Sequence, residues 1–186
     1  MRKKEENQTV AMRRVLKTAI IIMVVVVLLL IAFKACFRLS RVPTTSMEPT
    51  IHAGSIVVCW TLPYNIGNPE PKRGDIIAFY DKATNRNLIK RVIAVGGDVV
   101  EFHNGLVYVN GENVADGFEL NPSGVITVQG LSDSYEVPEG KCFVLGDNRE
   151  HSNDSRFMEN PFIDYSAIRG VMVFTFQDEL GLFHTA

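Results

Sequence analysis

A long apolar run dominates the beginning of the chain. Residues Thr18 to Phe33 are uncharged and almost wholly apolar, and neighbouring residues up to about Phe37 lengthen the run. A helix needs about 20 such residues to cross a hydrocarbon core of roughly 30 Å, and a lysine such as Lys34 can extend its amine to the membrane interface. The pattern predicts one transmembrane helix over residues 18–37.

A cleaved signal peptide is the alternative interpretation, because the apolar run is short. A signal peptide needs small residues before its cleavage site, and Phe33-Lys34-Ala35-Cys36 supplies few. We therefore favour a membrane anchor. Six basic residues precede the run and three follow it closely, so the positive-inside rule places residues 1–17 in the cytoplasm and residues 38–186 outside it.

Beyond Arg41 the pattern changes to short apolar runs separated by Gly, Pro, Asn and Asp, which is typical of a mostly β domain. No long amphipathic helix interrupts these runs. The predicted strands are Ser55–Trp60, Ile76–Tyr80, Leu88–Val95, Val99–Phe102, Leu106–Val109, Val125–Val128, Lys141–Leu145 and Gly170–Phe176. Asn104-Gly105 favours a tight hairpin turn. We expect an antiparallel β-sheet domain over residues 38–186 with a small inserted lobe at 101–140.

Length and charge narrow the function classes. A chain of 186 residues can bury one core and a small satellite lobe. The basic residues of positions 1–17 lie beside the apolar run, which suits anionic lipid, and no basic and aromatic patch indicates nucleic-acid binding. Cys36, Cys59 and Cys142 lack the spacing of a metal site or a disulfide framework, so they read as buried apolar residues.

The first candidate for chemistry is the loop of residues 43–50, just beyond the apolar run. Pro43 and Pro49 stiffen a segment in which Ser46 can hold its hydroxyl in a fixed pose. Neighbouring hydroxyls and backbone N–H groups can stabilise an oxyanion. A plain Pro-bounded loop would explain the same residues.

The second candidate is Lys90 in the predicted strand of residues 88–95. Alternation along a strand places on one face the side chains of Leu88, Lys90, Val92 and Ala94. Burial at this position would favour the uncharged form of the lysine. Lowering its pKa to near 7 requires roughly 4 to 5 kcal/mol of destabilisation of the ammonium form, which burial can supply. An edge-strand lysine facing solvent is the commoner alternative.

The third candidate is the polar segment of residues 146–156, directly after the predicted strand that ends at Leu145. A solvated turn with local Asx bonds would explain it. The other interpretation is that the segment forms a folded polar network, in which Ser152 reaches the base and Asp154 pairs with Arg149 or Arg156.

Together with residues 73–79, these segments resemble the bacterial type I signal peptidases, in particular the Gram-positive kind with one span. Four motifs occur in the family's order. They are Ser46-Met47-Glu48-Pro49-Thr50, Arg73-Gly74-Asp75, Lys90-Arg91-Val92-Ile93 followed by Gly97-Asp98, and Gly146-Asp147-Asn148-Arg149. The resemblance covers essentially the whole chain, strongly in the motifs and loosely in residues 101–140 and the tail.

The resemblance implies a role for each matching residue. It places Ser46 at the nucleophile, Lys90 at the general base and Thr44 at the oxyanion hydroxyl. Ser152 stands at the hydroxyl that orients the lysine, and the supporting polar positions are those of Asp147, Asp154 and Arg156. Arg91, Arg149, Gly74 and Asp75 match positions that we interpret as structural. Two departures occur, Thr44-Thr45 where many relatives have Ser-Gly, and Gly96 where many have proline; neither removes a catalytic group.

The resemblance also implies what the chain acts on. The expected activity is removal of signal peptides from exported preproteins by a membrane-bound serine endopeptidase, through an acyl-enzyme and with no metal or cofactor. The expected partners are those preproteins and membrane lipid, near the secretion translocon, with no nucleic acid.

Two alternatives remain open from the residues alone. In a Ser–His–Asp hydrolase the base would be a histidine, and His151 is better placed than His52, His103 or His184 because it lies in the polar segment. The other alternative is a non-catalytic, membrane-tethered β domain that binds a partner and uses Ser46 as an ordinary loop hydroxyl.

Overall fold

The chain divides into two compact units in a computed structural model, residues 1–36 and residues 37–186. The structure describes residues 2–67, 69–103, 106–114 and 134–177, with side chains from residue 12 onward. The predicted Asn104-Gly105 turn, the predicted strand Val125–Val128 and His184 lie outside these ranges.

The first unit is a single helix, α1, over Arg2–Cys36. Its segment Met12–Cys36 is long and apolar enough to cross a membrane. The predicted apolar span therefore lies in one helix, but that helix begins sixteen residues earlier and ends one residue sooner. Phe37, which we expected at the end of the span, begins a strand instead. The difference arises because Ala35, Cys36 and Phe37 are all apolar, so nothing in the pattern after Lys34 marks the end of the helix.

The described residues of the second unit form two antiparallel sheets. Its strands are β1 Phe37–Arg41, β2 Ile56–Trp60, β3 Ile76–Asp81, β4 Arg86–Val95, β5 Val99–His103, β6 Leu106–Val109, β7 Glu112–Asn113, β8 Ser134–Glu136, β9 Lys141–Leu145, β10 Ile163–Asp164 and β11 Ile168–Phe176. The seven-stranded sheet has the order β1-β2-β11-β3-β4-β9-β10, and the four-stranded sheet has the order β7-β6-β5-β8. A short helix, α2, covers Leu62–Ile66.

Most of the predicted strands are confirmed. The seven that fall on described residues match β2, β3, β4, β5, β6, β9 and β11 to within two residues at each end. The prediction missed β1, the two- and three-residue strands β7, β8 and β10, and α2. The two- and three-residue strands do not span enough residues for a periodic pattern to develop.

Three groups of buried side chains form the core of the second unit. One group packs β2 and β3 against the loop after β1 and contains Val42, Met47, Ile51, Val57, Cys59 and Ile76. A second group lies on β3, β4 and β9 and includes Ile77, Phe79, Val92 and Val144. The third joins the two sheets, since Phe143 and Leu145 pack with Val100 and Val109. The predicted lobe at residues 101–140 stays a prediction, because residues 115–133 fall outside the described part.

A bulge in β4 breaks the predicted alternation. The register against β9 shifts between Val92 and Ala94. Val92 packs in the group with Ile77, whereas Ala94 packs beside Ile93 in the group that joins the sheets. The prediction that Ala94 shares a face with Lys90 is therefore wrong. Lys90 pairs with Ile77 and Leu88 with Phe79, so the predicted face holds up to Val92.

Candidate functional site

The loop that carries Ser46 is fixed at its base by backbone bonds and from within by apolar side chains. Val42 N–H donates to the Ser55 carbonyl at 2.9 Å, and Ile51 N–H donates to the Met47 carbonyl at 2.9 Å. Met47 and Ile51 are almost completely buried. Because these neighbours anchor the loop, Ser46 is held in one place with its side chain 6% exposed.

The Ser46 hydroxyl lies against a buried lysine. Lys90 Nζ is 2.7 Å from Ser46 Oγ and also donates to the Ile89 carbonyl at 3.1 Å. The Lys90 side chain is buried in β4, which agrees with the expectation of a desolvated lysine rather than an exposed edge-strand one. Burial lowers the pKa of Lys90 from 10.5 to about 8. An amine with this pKa is partly uncharged near neutral pH and can accept a proton from the adjacent hydroxyl.

Two buried carboxylates act against this shift, but each is paired with an arginine. Asp154 and Asp147 raise the pKa of Lys90, and the Arg156 cation lowers it. Arg91 binds both oxygens of Asp147, at 2.8 and 2.6 Å. Arg156 binds both oxygens of Asp154, at 2.8 Å each. Since each negative charge is shared with a guanidinium, burial remains the larger influence on the lysine.

Thr44 lies beside the nucleophile candidate. Its Oγ1 is 3.3 Å from Ser46 Oγ, and its side chain is exposed. A threonine hydroxyl rotates about one bond, so it can turn toward a carbonyl oxygen that approaches Ser46 from the exposed side. The structure thus brings Thr44, Ser46 and Lys90 together.

Ser152 lies nearby without the expected hydrogen bond. Its Oγ is buried and has no hydrogen-bond partner among the residues that the structure describes. A Cβ on Gly146 would overlap both Ser152 Oγ and the Ser46 carbonyl oxygen. Gly146 therefore lets the segment after β9 pass between these two residues. Gly146 had no predicted role of its own beyond its place in the motif.

The predicted supporting residues form a network around the segment after β9. Asp154 accepts the Gly146 N–H at 2.9 Å, and Arg156 donates to the Arg149 carbonyl at 2.8 Å. Arg149 Nε donates to the Gly146 carbonyl at 3.0 Å. Burial lowers the pKa of Arg149 to about 10. The segment is thus a folded polar network rather than a solvated turn.

Asn148 connects this segment to the loop of Ser46. Its backbone N–H donates to the Ser46 carbonyl at 3.1 Å, and its Nδ2 donates to the Thr45 carbonyl at 3.2 Å. Its Oδ1 lies 3.2 Å from Nδ1 of His151. No pattern in the sequence indicated this role beyond the motif itself, because the contact joins residues 103 positions apart.

The three described histidines are exposed. The ring of His151 hydrogen-bonds to Asn148 rather than to Ser46. His52 lies 3.9 Å from Glu48, and His103 lies 3.6 Å from Glu101, both with exposed rings. Within the described residues, no group of three or more His, Cys, Asp or Glu is arranged to hold a metal ion.

A buried serine hydroxyl in contact with a buried amine is one arrangement that activates a serine for nucleophilic attack on an acyl group. The chain belongs to the signal peptidase family, peptidase S26, whose family model matches residues 12–177.

Individual relatives agree with this assignment. The chain is 37% identical over 141 residues to signal peptidase I of Bacillus licheniformis, with 73% of this chain and 74% of the relative covered. It is 36% identical over 145 residues to signal peptidase IB of Staphylococcus aureus, covering 70% and 73%. Against signal peptidase I of Pseudomonas fluorescens the identity is 32% over 158 residues, covering 66% of this chain and 56% of the relative. The chain thus spans little more than half the length of that relative.

A solved structure is also similar in sequence. The crystal structure of a signal peptidase I from Enterococcus faecalis is 30% identical, covers 56% of this chain and 98% of its own, and superposes with a TM-score of 0.44.

Proposed function

We propose that the chain is a membrane-bound serine endopeptidase that removes signal peptides from exported preproteins, with Ser46 as nucleophile and Lys90 as general base. The observation that carries the proposal is the 2.7 Å contact between Lys90 Nζ and Ser46 Oγ in a buried setting that favours the neutral amine. Family membership supports the reaction class.

The first step is attack of Ser46 on the scissile carbonyl. Neutral Lys90 takes the hydroxyl proton as Ser46 Oγ forms a bond to the carbonyl carbon, and the carbonyl oxygen becomes negatively charged. The Ser46 N–H and the Thr44 hydroxyl donate to that oxygen. When the C–N bond breaks, the Lys90 ammonium returns the proton to the leaving amine, and the signal peptide stays attached to Ser46 as an ester.

The second step releases the signal peptide. Lys90 removes a proton from a water molecule, which attacks the ester carbonyl and displaces Ser46 Oγ. The proton returns to Ser46 through Lys90. Ser152 has a buried hydroxyl with spare hydrogen-bonding capacity, and we expect it to hold the Lys90 amine in line with Ser46 in both steps.

The substrate would bind as an extended segment along β4. In the described sheet, β4 pairs with β3 from Arg86 to Arg91, whereas its pairing with β9 begins at Arg91. Residues 86–90 thus leave one side of the strand unpaired next to Lys90. An extended peptide can add to such an edge through backbone hydrogen bonds.

The anchor would bring enzyme and substrate to the same membrane face. We propose that α1 spans the membrane with residues 1–17 in the cytoplasm and the β domain outside, near the translocon from which preproteins emerge. The basic residues before the apolar segment would contact anionic lipid.

Cleavage of a purified preprotein by the detergent-solubilised full chain tests the proposal. Wild type should cut after the small residues of the signal peptide, Ser46→Ala and Lys90→Ala should be inactive, and His151→Ala should retain activity. A dead His151→Ala variant with an active Lys90→Ala variant would favour the Ser–His alternative. A wild type that cuts no preprotein would favour the binding domain.

A further inference from the structure

The unpaired side of β4 leads from the catalytic pair toward the hairpin between β3 and β4. From Lys90 to Arg86 the strand advances four residues, about 13 Å at ~3.3 Å per residue. The hairpin tip, residues 82–85, follows directly. An extended substrate bound at this edge with its scissile bond at Ser46 therefore reaches the hairpin with a residue roughly four to six positions away from that bond.

A cavity of about 530 Å³ lies at this end of the strand. One wall is the hairpin, from Tyr80 to Thr84, and the opposite wall is formed by residues 157–164. Asn153, which follows Ser152 directly, also lines the cavity. The cavity therefore begins beside the segment of residues 146–156, which borders the catalytic pair. We define these residues as the hairpin cavity.

The lining of the hairpin cavity combines an apolar wall with polar residues. The larger apolar side chains are those of Tyr80, Phe157, Met158, Phe162 and Ile163, and the charged residues of the lining are Asp81, Lys82, Glu159 and Asp164. Phe157 is 55% exposed and Met158 is half-buried, so both offer apolar surface that a ligand can cover. Two of the carboxylates are used within the fold, since Asp81 accepts the Ala83 N–H at 3.1 Å and Asp164 pairs with Lys141 at 3.2 Å.

We infer that the hairpin cavity binds a large apolar side chain of the substrate four to six residues before the cleavage site. The inference rests on the proposed function. A signal peptide carries an apolar segment upstream of its small-residue cleavage site. The last residues of that apolar segment lie at the distance which the open edge of β4 spans, and their chemistry matches the apolar wall that Phe157 and Met158 form.

A comparison of kcat/KM among peptide substrates tests the subsite. The substrates are internally quenched peptides with Ala at positions −1 and −3 and either Leu or Ser at −4, −5 or −6, cut by the detergent-solubilised full chain. We expect Leu at one of these positions to raise kcat/KM about fivefold to tenfold over Ser. Phe157→Ala and Ala83→Trp, which change opposite walls, should abolish this preference.

The serine peptides and a matched variant provide the controls. Peptides with Ser should be cut equally by wild type and both cavity variants, because the catalytic pair is unchanged. Phe174→Ala removes a phenylalanine of similar exposure, 60%, outside the cavity, and should keep the full preference for Leu.

Three results would overturn the inference. A Leu preference that survives in both cavity variants would show that the cavity does not bind this residue. A preference found instead when Leu is moved to +4, +5 or +6 would assign the cavity to the mature side of the substrate. If wild type cuts none of the peptides, the proposed function is overturned, and the subsite with it.

Discussion

The buried position of Lys90 destabilises the charged ammonium form of its side chain. Its ammonium form is buried, and the nearby carboxylates already share their charge with Arg91 and Arg156. The lowered pKa therefore has a thermodynamic consequence. The unfolded chain keeps the proton of this lysine up to pH 10.5, whereas the folded chain releases it near pH 8. Between these values the unfolded state binds more protons, so folding stability rises with pH.

Lys90→Met should remove this dependence. Below pH 8 both states of wild type are protonated and pH has little effect through this residue. From pH 8 to pH 10 the free energy of unfolding of wild type should rise by about 2 to 3 kcal/mol relative to Lys90→Met. Denaturant unfolding in detergent, followed by fluorescence of Trp60, the single tryptophan, measures the difference. A difference that stays constant from pH 7 to pH 10 would show that Lys90 is not desolvated.

The roles of some single residues could be predicted from the sequence, and the contacts of others could not. Ser46 and Lys90 were predicted from motifs, whereas the alternation of the strand left open whether the lysine is buried or exposed. The close passage of Gly146 between Ser46 and Ser152 was not predicted, because it depends on two loops meeting in space. The expected bond from Ser152 to Lys90 stays a prediction, since the Ser152 hydroxyl lies unbonded within the described residues.

At the scale of elements, the position of the nucleophile depends on two loops that are distant in sequence. The loop after β1 carries Ser46, and the segment after β9 holds it through Asn148. Strand β4 contributes Lys90 from between β3 and β9. The reacting atoms thus come from three elements, and a small shift of either loop would change the contact between Ser46 and Lys90.

Asn148→Ala should lower kcat about tenfold with little change in KM. The variant keeps the backbone bond to Ser46 but loses the side-chain bond to the Thr45 carbonyl, which is worth about 1 kcal/mol. Asn148→Asp should lose activity similarly, because a carboxylate cannot donate to that carbonyl. Steady-state kinetics on a preprotein measure both constants. His151→Ala, which removes only the contact on the other side of Asn148, should stay within about twofold of wild type; full activity in Asn148→Ala would contradict the role.

The strands were predicted well where several alternating positions occur together. β6 and β9 match the prediction at both ends, since each has polar or glycine residues directly before and after it. β1 was hidden because Phe37 continues the apolar run of α1. The bulge in β4 was not predicted, because Ile93 and Ala94 are both apolar and the sequence does not show that the register shifts there.

For the whole molecule, the two units differ in where their apolar side chains lie. α1 exposes its apolar side chains along Met12–Cys36, while the second unit buries its own core. A segment with this composition is stable across a bilayer and costly to expose to water.

The orientation of the anchor should place the N-terminus inside the cell. With an epitope tag before Met1, protease added to intact spheroplasts should digest the β domain and leave the tag protected. Replacing Arg13, Arg14 and Lys17 by serine should increase the fraction of tag that the protease reaches, because it reduces the positive charge on the cytoplasmic side. A tag that is fully digested in wild type would reverse the orientation.

The pH dependence of kcat/KM for preprotein cleavage is the most direct test of the Ser46–Lys90 pair. Because the reactive form requires an uncharged amine, kcat/KM should rise with pH and reach half of its maximum near pH 8, and His151→Ala should give the same profile. A profile with its midpoint near pH 6.5, the ordinary pKa of histidine, that disappears in His151→Ala would contradict Lys90 as the base.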